Sequence, residues 1–228
     1  MSETHSPRPV FTVGLELIAT VAFFLLFAFL AIRVGSFSLR FQHWAIITMS
    51  AIFGYLLADF VSGWMHWFCD TFFEEVSPVI GPLIIQPFRE HHRDPLAMTR
   101  HGFLELNGNT CLVLSPVLAA FFWLDLTHWL DSFVIFVSST LLFFAASVFG
   151  TNLFHRAAHE PVPAFWVQGL QECGVILSPR KHHLHHQAPH RSAYCVTSGW
   201  LNPILDGMNF FSFCERLLIA IGFPRSCN

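Results

Sequence analysis

Long runs of apolar residues, broken by short polar links, dominate the hydrophobic pattern of the chain. The runs cover residues 10–32, 44–68, 110–124 and 132–154. The first run contains one acid, Glu16, in 23 residues, and a helix of that length crosses a bilayer core of roughly 30 Å. The third run is short for a span, so we expect the polar residues just before it to lie near the interface. The pattern predicts four transmembrane helices.

The remaining segments are mixed in polarity and are not expected to cross the membrane. Residues 164–177 and 209–223 are typical of interfacial or packed helices. With four spans, both chain ends lie on one side, together with all the basic residues except Arg33 and Arg40. Because basic residues concentrate on the cytoplasmic side, the histidine-rich segments 66–101 and 155–205 are predicted to face the cytoplasm. We treat residues 1–228 as a single domain.

The composition supports a lipid environment and excludes other classes. Charged residues make up 12% of the chain and hydrophobic residues 54%, too little polarity for a water-soluble surface. A net charge of −3 provides no basic footprint for nucleic acid. The six cysteines form no C-x-x-C pair, so we expect small buried thiols rather than a zinc or disulfide framework. Histidine is the anomaly, because its 14 residues outnumber lysine and arginine together.

Most of these histidines fall in four tracts at or beyond the ends of the apolar runs. The tracts are Asp59-x-x-x-Gly63-x-x-His66-Trp67-x-x-Asp70, Arg89-Glu90-His91-His92-Arg93-Asp94-Pro95, His155-x-x-x-His159 and His182-His183-x-His185-His186. His66 and Asp70 are four residues apart, as are His155 and His159, so each pair shares one face of a helix. Helix ends in one bundle can converge on one pocket.

The number of imidazoles indicates two metal ions. A catalytic zinc normally uses three protein ligands and a structural zinc four, so the surplus favours a pair of redox-active ions. The chain has neither the H-E-x-x-H motif of metalloproteases nor the Glu-x-x-His motif of soluble di-iron bundles. The candidate ligands are His66, Asp70, His91, His92, His155, His159, His182, His185 and His186.

Several residues around this set are candidates for other roles. Asp70 itself is open between a metal ligand, a group that orients a ligand, and a helix-end charge. The residues predicted to support the ligands or to contact the substrate are Asp59, His101, His183, His190, Arg89 and Lys181. We expect no catalytic group beyond the metal ligands.

The order and spacing of these tracts resemble the plasmanylethanolamine desaturase family of CarF- and Kua-type lipid desaturases. The likeness covers about residues 55–205 and includes R-E-H-H-x-D-P, T-R-H, N-G-N and Y-C-x-T-x-G-W-L-N. The eight histidines of that family correspond to the eight candidate histidine ligands. One departure lies in the last tract, where a single residue separates two histidine pairs that the animal branch separates by two.

The resemblance implies an all-α integral membrane fold, similar to membrane fatty acid desaturases, with a cytoplasmic metal-binding cap. It further implies two iron ions, O2 as co-substrate and an external electron donor of the cytochrome b5 or ferredoxin type. The expected reaction introduces the vinyl ether double bond into the alkyl chain of an ethanolamine ether phospholipid, in the bacterial inner membrane or the endoplasmic reticulum. Desaturation or hydroxylation of acyl lipids on the same metals stays open, and metal transport is a more distant alternative.

Overall fold

The computed structural model describes residues 9–41, 43–78, 80–125, 128–223 and 225, without the side chains of residues 38–41, 82 and 83. Over these ranges the chain is helical and contains no strand apart from an isolated bridge between Phe72 and Arg225. The helices are α1 (Val10–Phe41), α2 (Trp44–Thr71), α3 (Gln86–Arg93), α4 (Ala97–Arg100), α5 (Phe103–Phe122), α6 (Asp131–His159), α7 (Phe165–Glu172), α8 (Pro179–His185), α9 (Asn202–Gly207) and α10 (Phe210–Ala220), with a π-helical turn at Gly81–Ile85.

Four of these helices are long and apolar enough to cross a membrane. They are α1, α2, α5 and α6. The prediction of an all-α fold with four spanning helices is confirmed, and the chain is an integral membrane protein. Helix α5 begins at Phe103, well before the apolar run that starts at residue 110. Asn107 and Gly108 interrupt the apolar pattern although they are buried inside the helix.

The first of two compact units comprises the described residues of 1–54 and 101–149. Helices α1 and α5 pack along each other in it, and their shared core includes Phe23, Leu30 and Leu118. A Cβ atom at Gly108 would lie 2.6 Å from the side chain of Glu16. Glycine therefore allows the two helices to approach closely at this level.

The second unit comprises the described residues of 55–100 and 150–228 and contains all four histidine tracts. Its largest buried cluster includes Trp67, Phe72, Tyr194 and Phe211. Gly63 of α2 faces the segment around Cys195, whose backbone nitrogen would lie 3.1 Å from an added Cβ and whose Sγ would lie 2.5 Å away. The contact brings the segment after α8 against α2, close to the first histidine tract.

The described cysteines carry no disulfide. Cys69, Cys111, Cys195 and Cys214 are free and buried, as expected for small apolar residues, whereas Cys173 is free but exposed.

Candidate metal centre

Four helices deliver the predicted ligands, all from residues that lie in the second unit. The last turns of α2 carry His66 and Asp70, and the last turns of α6 carry His155 and His159. Helix α3 adds His91 and His92, and α8 with its C-cap adds His182, His185 and His186. Five of these imidazoles, those of His66, His91, His155, His182 and His185, are buried. The candidate ligands thus gather in the interior of one unit.

A first group contains five histidines whose ring nitrogens all lie within 4.8 Å of one another: His91, His155, His159, His182 and His186. The Nε2 atom of His182 lies 2.8 Å from that of His155, 2.8 Å from that of His159 and 2.9 Å from that of His186. Two nitrogens bound to one ion at about 2.1 Å and at right angles would lie about 3.0 Å apart. The spacing therefore fits ligands of a single ion.

A second group contains His66, His91, His92 and His185, again within 4.8 Å of one another. The Nε2 atoms of His92 and His185 lie 2.9 Å apart. Asp70 faces the same group, because its Oδ2 atom lies 3.6, 3.7 and 3.5 Å from the Nε2 atoms of His66, His92 and His185. Three imidazoles and one carboxylate oxygen thus surround one point.

Several nitrogen and oxygen atoms of the candidate ligands have no hydrogen-bond partner within the described part of the chain. Both ring nitrogens of His66, both carboxylate oxygens of Asp70 and Nε2 of His91 are fully buried and have no hydrogen-bond partner there. Burying such atoms without partners costs roughly 1–3 kcal/mol each. Metal ions bound to one nitrogen of each ring and to the Asp70 carboxylate would satisfy most of these atoms, so the residues present fit a pair of ions.

The environment keeps the imidazoles outside the spanning helices neutral. Burial, followed by the charges of neighbouring histidines, holds the pKa of His91 and of His182 well below 6.5. The same causes lower the pKa of His92 to about 2 and that of His186 to about 3. A neutral imidazole keeps a lone pair free for a metal at physiological pH.

Arg89 ties the helix of one histidine tract to the end of another. Its guanidinium group is buried and donates hydrogen bonds to the carbonyl oxygens of Cys69 at 3.3 Å, Phe72 at 3.2 Å and Phe73 at 2.7 Å. The Cys69 carbonyl belongs to the last turn of α2, where the helix itself offers no donors, and Phe72 and Phe73 directly follow the helix. The side chain thereby fixes α3 against the end of α2.

Asp59 and Lys181 both hold the backbone that follows the last histidine tract. The fully buried carboxylate of Asp59 accepts hydrogen bonds from the N–H groups of Ser198 at 2.8 Å, Gly199 at 3.0 Å and Leu201 at 3.1 Å. The ammonium group of Lys181 donates to the carbonyl oxygen of Ser198 at 3.0 Å. Both side chains therefore bind backbone atoms of the segment 198–201.

The three remaining candidate histidines differ in position. His101 lies in the first unit, with Nε2 at 3.9 Å from Glu105. His183 is exposed on α8. His190 donates a hydrogen bond from Nδ1 to the carbonyl oxygen of His185 at 3.1 Å, and its ring centroid lies 4.6 Å from that of His92. Of the three, His190 is the one in contact with the ligand groups.

Sequence reasoning missed the residues that orient His185. Its Nδ1–H donates to the carbonyl oxygen of Ser192 at 2.9 Å, which leaves Nε2 available to a metal. The next residue, Ala193, donates its N–H to the carboxylate of Asp206 at 3.0 Å, and the ring of Tyr194 lies 5.1 Å from that of His185. The Y-C-x-T motif marks this segment, but a backbone carbonyl has no signature in a sequence.

Comparison with known proteins gives consistent matches over the second unit and beyond. The model of a family described as the lipid desaturase domain matches residues 55–224. The chain is 41% identical over 177 residues to plasmanylethanolamine desaturase of Myxococcus xanthus, covering 77% of this chain and 61% of that protein. It is 39% identical over 183 residues to plasmanylethanolamine desaturase 1 of Mus musculus, covering 78% and 67%.

A plant protein is also similar. Fatty acid desaturase 4-like 2, chloroplastic, of Arabidopsis thaliana is 34% identical over 194 residues, covering 80% of this chain and 64% of the relative. The aligned part of the chain therefore spans about three-fifths to two-thirds of the length of these relatives. No solved structure matches.

Proposed function

The chain belongs to the lipid desaturase domain family, and we propose that it is an O2-dependent desaturase that introduces a vinyl ether double bond into ethanolamine ether phospholipids. The observation that carries the proposal is the pair of histidine groups in one buried pocket. Two relatives that are 39% and 41% identical are named plasmanylethanolamine desaturases, which supports the ether lipid as substrate. The reaction would make a plasmalogen.

Two iron ions fit the two groups of ligands. His155, His159, His182 and His186 would hold one ion, and His66, His92, His185 and Asp70 the other, with His91 in reach of both groups. When bound, iron would supply the oxygen-activating chemistry that is needed to remove hydrogen from an unactivated carbon. Forming the double bond removes two hydrogens from the alkyl chain, and an external donor of the cytochrome b5 or ferredoxin type supplies the remaining two electrons that reduce O2 to water.

The residues of the chain would position the metal ligands and keep water out of the pocket. Neutral imidazoles bind metal without adding negative charge, and the buried positions of His66 and His155 exclude water from the pocket. Arg89 would fix α3, which carries His91 and His92, and the Ser192 carbonyl would fix the ring orientation of His185. We further propose that the pocket faces the cytoplasm of a bacterial inner membrane or of the endoplasmic reticulum, as the distribution of basic residues favours.

The test is expression in a plasmalogen-free host that receives an alkyl ether phospholipid. The wild-type chain should produce acid-labile vinyl ethers, contain about two irons per chain and consume O2 when lipid is added. His155→Ala should lose the product, whereas His128→Ala, which changes an exposed histidine outside the ligand groups, should keep it. Absence of vinyl ether from the wild type would refute the substrate. A fully active His155→Ala variant would refute the site.

Desaturation of an acyl chain is a second candidate, because three chloroplast proteins named fatty acid desaturases are 31–35% identical to this chain. Lipid profiling of the same cells separates the two reactions: new acyl double bonds without vinyl ethers would favour the acyl substrate, and hydroxylated chains would indicate hydroxylation. A metal transporter would accumulate iron without lipid-dependent consumption of O2.

A further inference from the structure

A cleft of mixed charge opens on the second unit beside the histidine tracts. Its volume is about 920 Å³. Two acids, Glu160 and Glu172, and two bases, Arg180 and Lys181, line it. Pro161, Val162 and Pro163 complete one wall, so charged and apolar surfaces meet at the same opening.

Three of the four charges in this cleft, those of Glu160, Glu172 and Arg180, make no ion pair or side-chain hydrogen bond in the described part of the chain. Glu172 and Arg180 are exposed. Lys181 gives one hydrogen bond to the Ser198 carbonyl, and an ammonium group has three N–H donors. Two carboxylates and two cations therefore remain available to a ligand that carries both signs of charge.

Three residues of the cleft lining are direct chain neighbours of candidate metal ligands. Glu160 directly follows His159, Lys181 directly precedes His182, and Leu184 of the lining directly precedes His185. A molecule bound by these charges would therefore have its next few atoms close to the pocket where the metals are expected. In an ether phospholipid only the glycerol bridge separates the phosphate from the alkyl ether bond.

The surroundings suit a lipid at the membrane interface. Val162, Phe165 and Trp166, in and beside the cleft wall, have exposed fractions of 81%, 86% and 60%. Exposed aromatic residues beside charged ones are typical of protein surfaces at the level of lipid headgroups. A free soluble zwitterion would have no need of this apolar margin.

We propose that this cleft binds the zwitterionic phosphoethanolamine headgroup of the phospholipid substrate, an inference that rests on the proposed function. Arg180 and Lys181 hold the phosphate, and Glu160 and Glu172 hold the ammonium group. A primary ammonium donates charge-assisted hydrogen bonds to carboxylates, whereas the quaternary ammonium of choline has no N–H to donate. The two glutamates therefore select ethanolamine, and the two cations set the affinity for any phospholipid.

The test measures lipid retention without turnover. Iron-loaded protein is kept anaerobic in lipid nanodiscs that contain alkyl-acyl lipids with ethanolamine, choline or glycerol headgroups, and native mass spectrometry counts the lipids retained. The wild type should retain the ethanolamine lipid about tenfold over the choline lipid, as expected for one charge-assisted hydrogen bond. Glu172→Gln, alone and with Glu160→Gln, should bring that ratio towards one.

Removing a positive charge from the cleft should affect lipid retention in a different way. Arg180→Gln should lower retention of the ethanolamine and choline lipids by the same factor, about fivefold, without changing their ratio. Glu172→Lys should shift preference towards the anionic glycerol headgroup. Arg216→Gln changes an exposed charge outside the cleft and should match the wild type. Because Glu172 and Arg180 are exposed and form no ion pair, these substitutions should not prevent folding.

Two results would overturn the proposal: equal retention of ethanolamine and choline lipids by the wild type, or an unchanged ratio in the glutamate variants. Neither depends on the reaction. If the aerobic enzyme makes no vinyl ether while the binding ratios behave as expected, the proposed reaction fails and the headgroup site stands.

Discussion

Replacing Arg89 tests whether this residue supports the metal centre or binds substrate. Arg89→Met keeps the volume and removes the donors that satisfy three carbonyl oxygens at the end of α2. One of these bonds is short, at 2.7 Å, and two are longer, at 3.2 and 3.3 Å. Counting about 1 kcal/mol for each lost partner gives a loss of roughly 3 kcal/mol.

That loss should be visible in both stability and metal content. For a chain of this size, 1 kcal/mol shifts the unfolding midpoint by about 2–4 °C, so we expect a decrease of roughly 10 °C. Because α3 would then be free to move relative to α2, iron per chain should fall as well. Arg89→Lys should recover part of both, since an ammonium group lacks the planar fork that reaches three carbonyls.

The assay is thermal unfolding in detergent together with iron analysis of the purified variants, with Arg216→Met as the matched change of an exposed arginine. If Arg89→Met keeps the wild-type midpoint and its iron but raises the KM for lipid, the residue binds phosphate, and the structural reasoning is refuted.

Three further expectations concern the same unit. Asp70→Asn should lower iron by about one ion per chain, while Asp94→Asn on the surface should not; equal iron in both would exclude Asp70 as a ligand. Gly63→Ala should destabilise the protein by about 1–3 kcal/mol through overpacking, whereas Gly169→Ala, with nothing within 4 Å of the added Cβ, should not; identical midpoints would contradict the close approach. The metal-free protein should lose stability as the pH falls from about 6.5 towards 2, because the unfolded chain then binds protons that His92, with its pKa of about 2, does not bind in the fold. The slope is up to about 1.4 kcal/mol per pH unit for each such histidine, and denaturant titrations that give a flat profile would contradict it.

Periodicity carried much of the prediction for the metal centre. The four-residue spacing of His66 and Asp70 placed both on one helix face, and α2 does present them together. The H-x-x-H-H spacing works in the same way on α8, where His182, His185 and His186 turn inward and His183 turns outward. Local spacing is sufficient where one helix carries the whole set.

Contacts between distant segments were beyond such reasoning. Arg89 was expected among the residues that support ligands or bind substrate, and only the fold shows that three carbonyls occupy it. The start of α5 was missed because buried Asn107 and Gly108 interrupt the apolar pattern. The cleft beside the metal centre was not anticipated, because its charges come from three separate segments. Glu160 follows α6, Glu172 lies on α7, and Arg180 and Lys181 lie on α8.

The hydrogen bonds of Asp59 have a consequence for biogenesis. Its three partners lie 139 to 142 residues further along the chain. A ribosome that adds about 5–20 residues per second needs roughly seven to thirty seconds to make them. Throughout that interval α2 holds an uncompensated acid within an apolar helix, which is costly in lipid. The carboxyl group of Asp59 would have to stay protonated or near the interface until the 198–201 segment emerges.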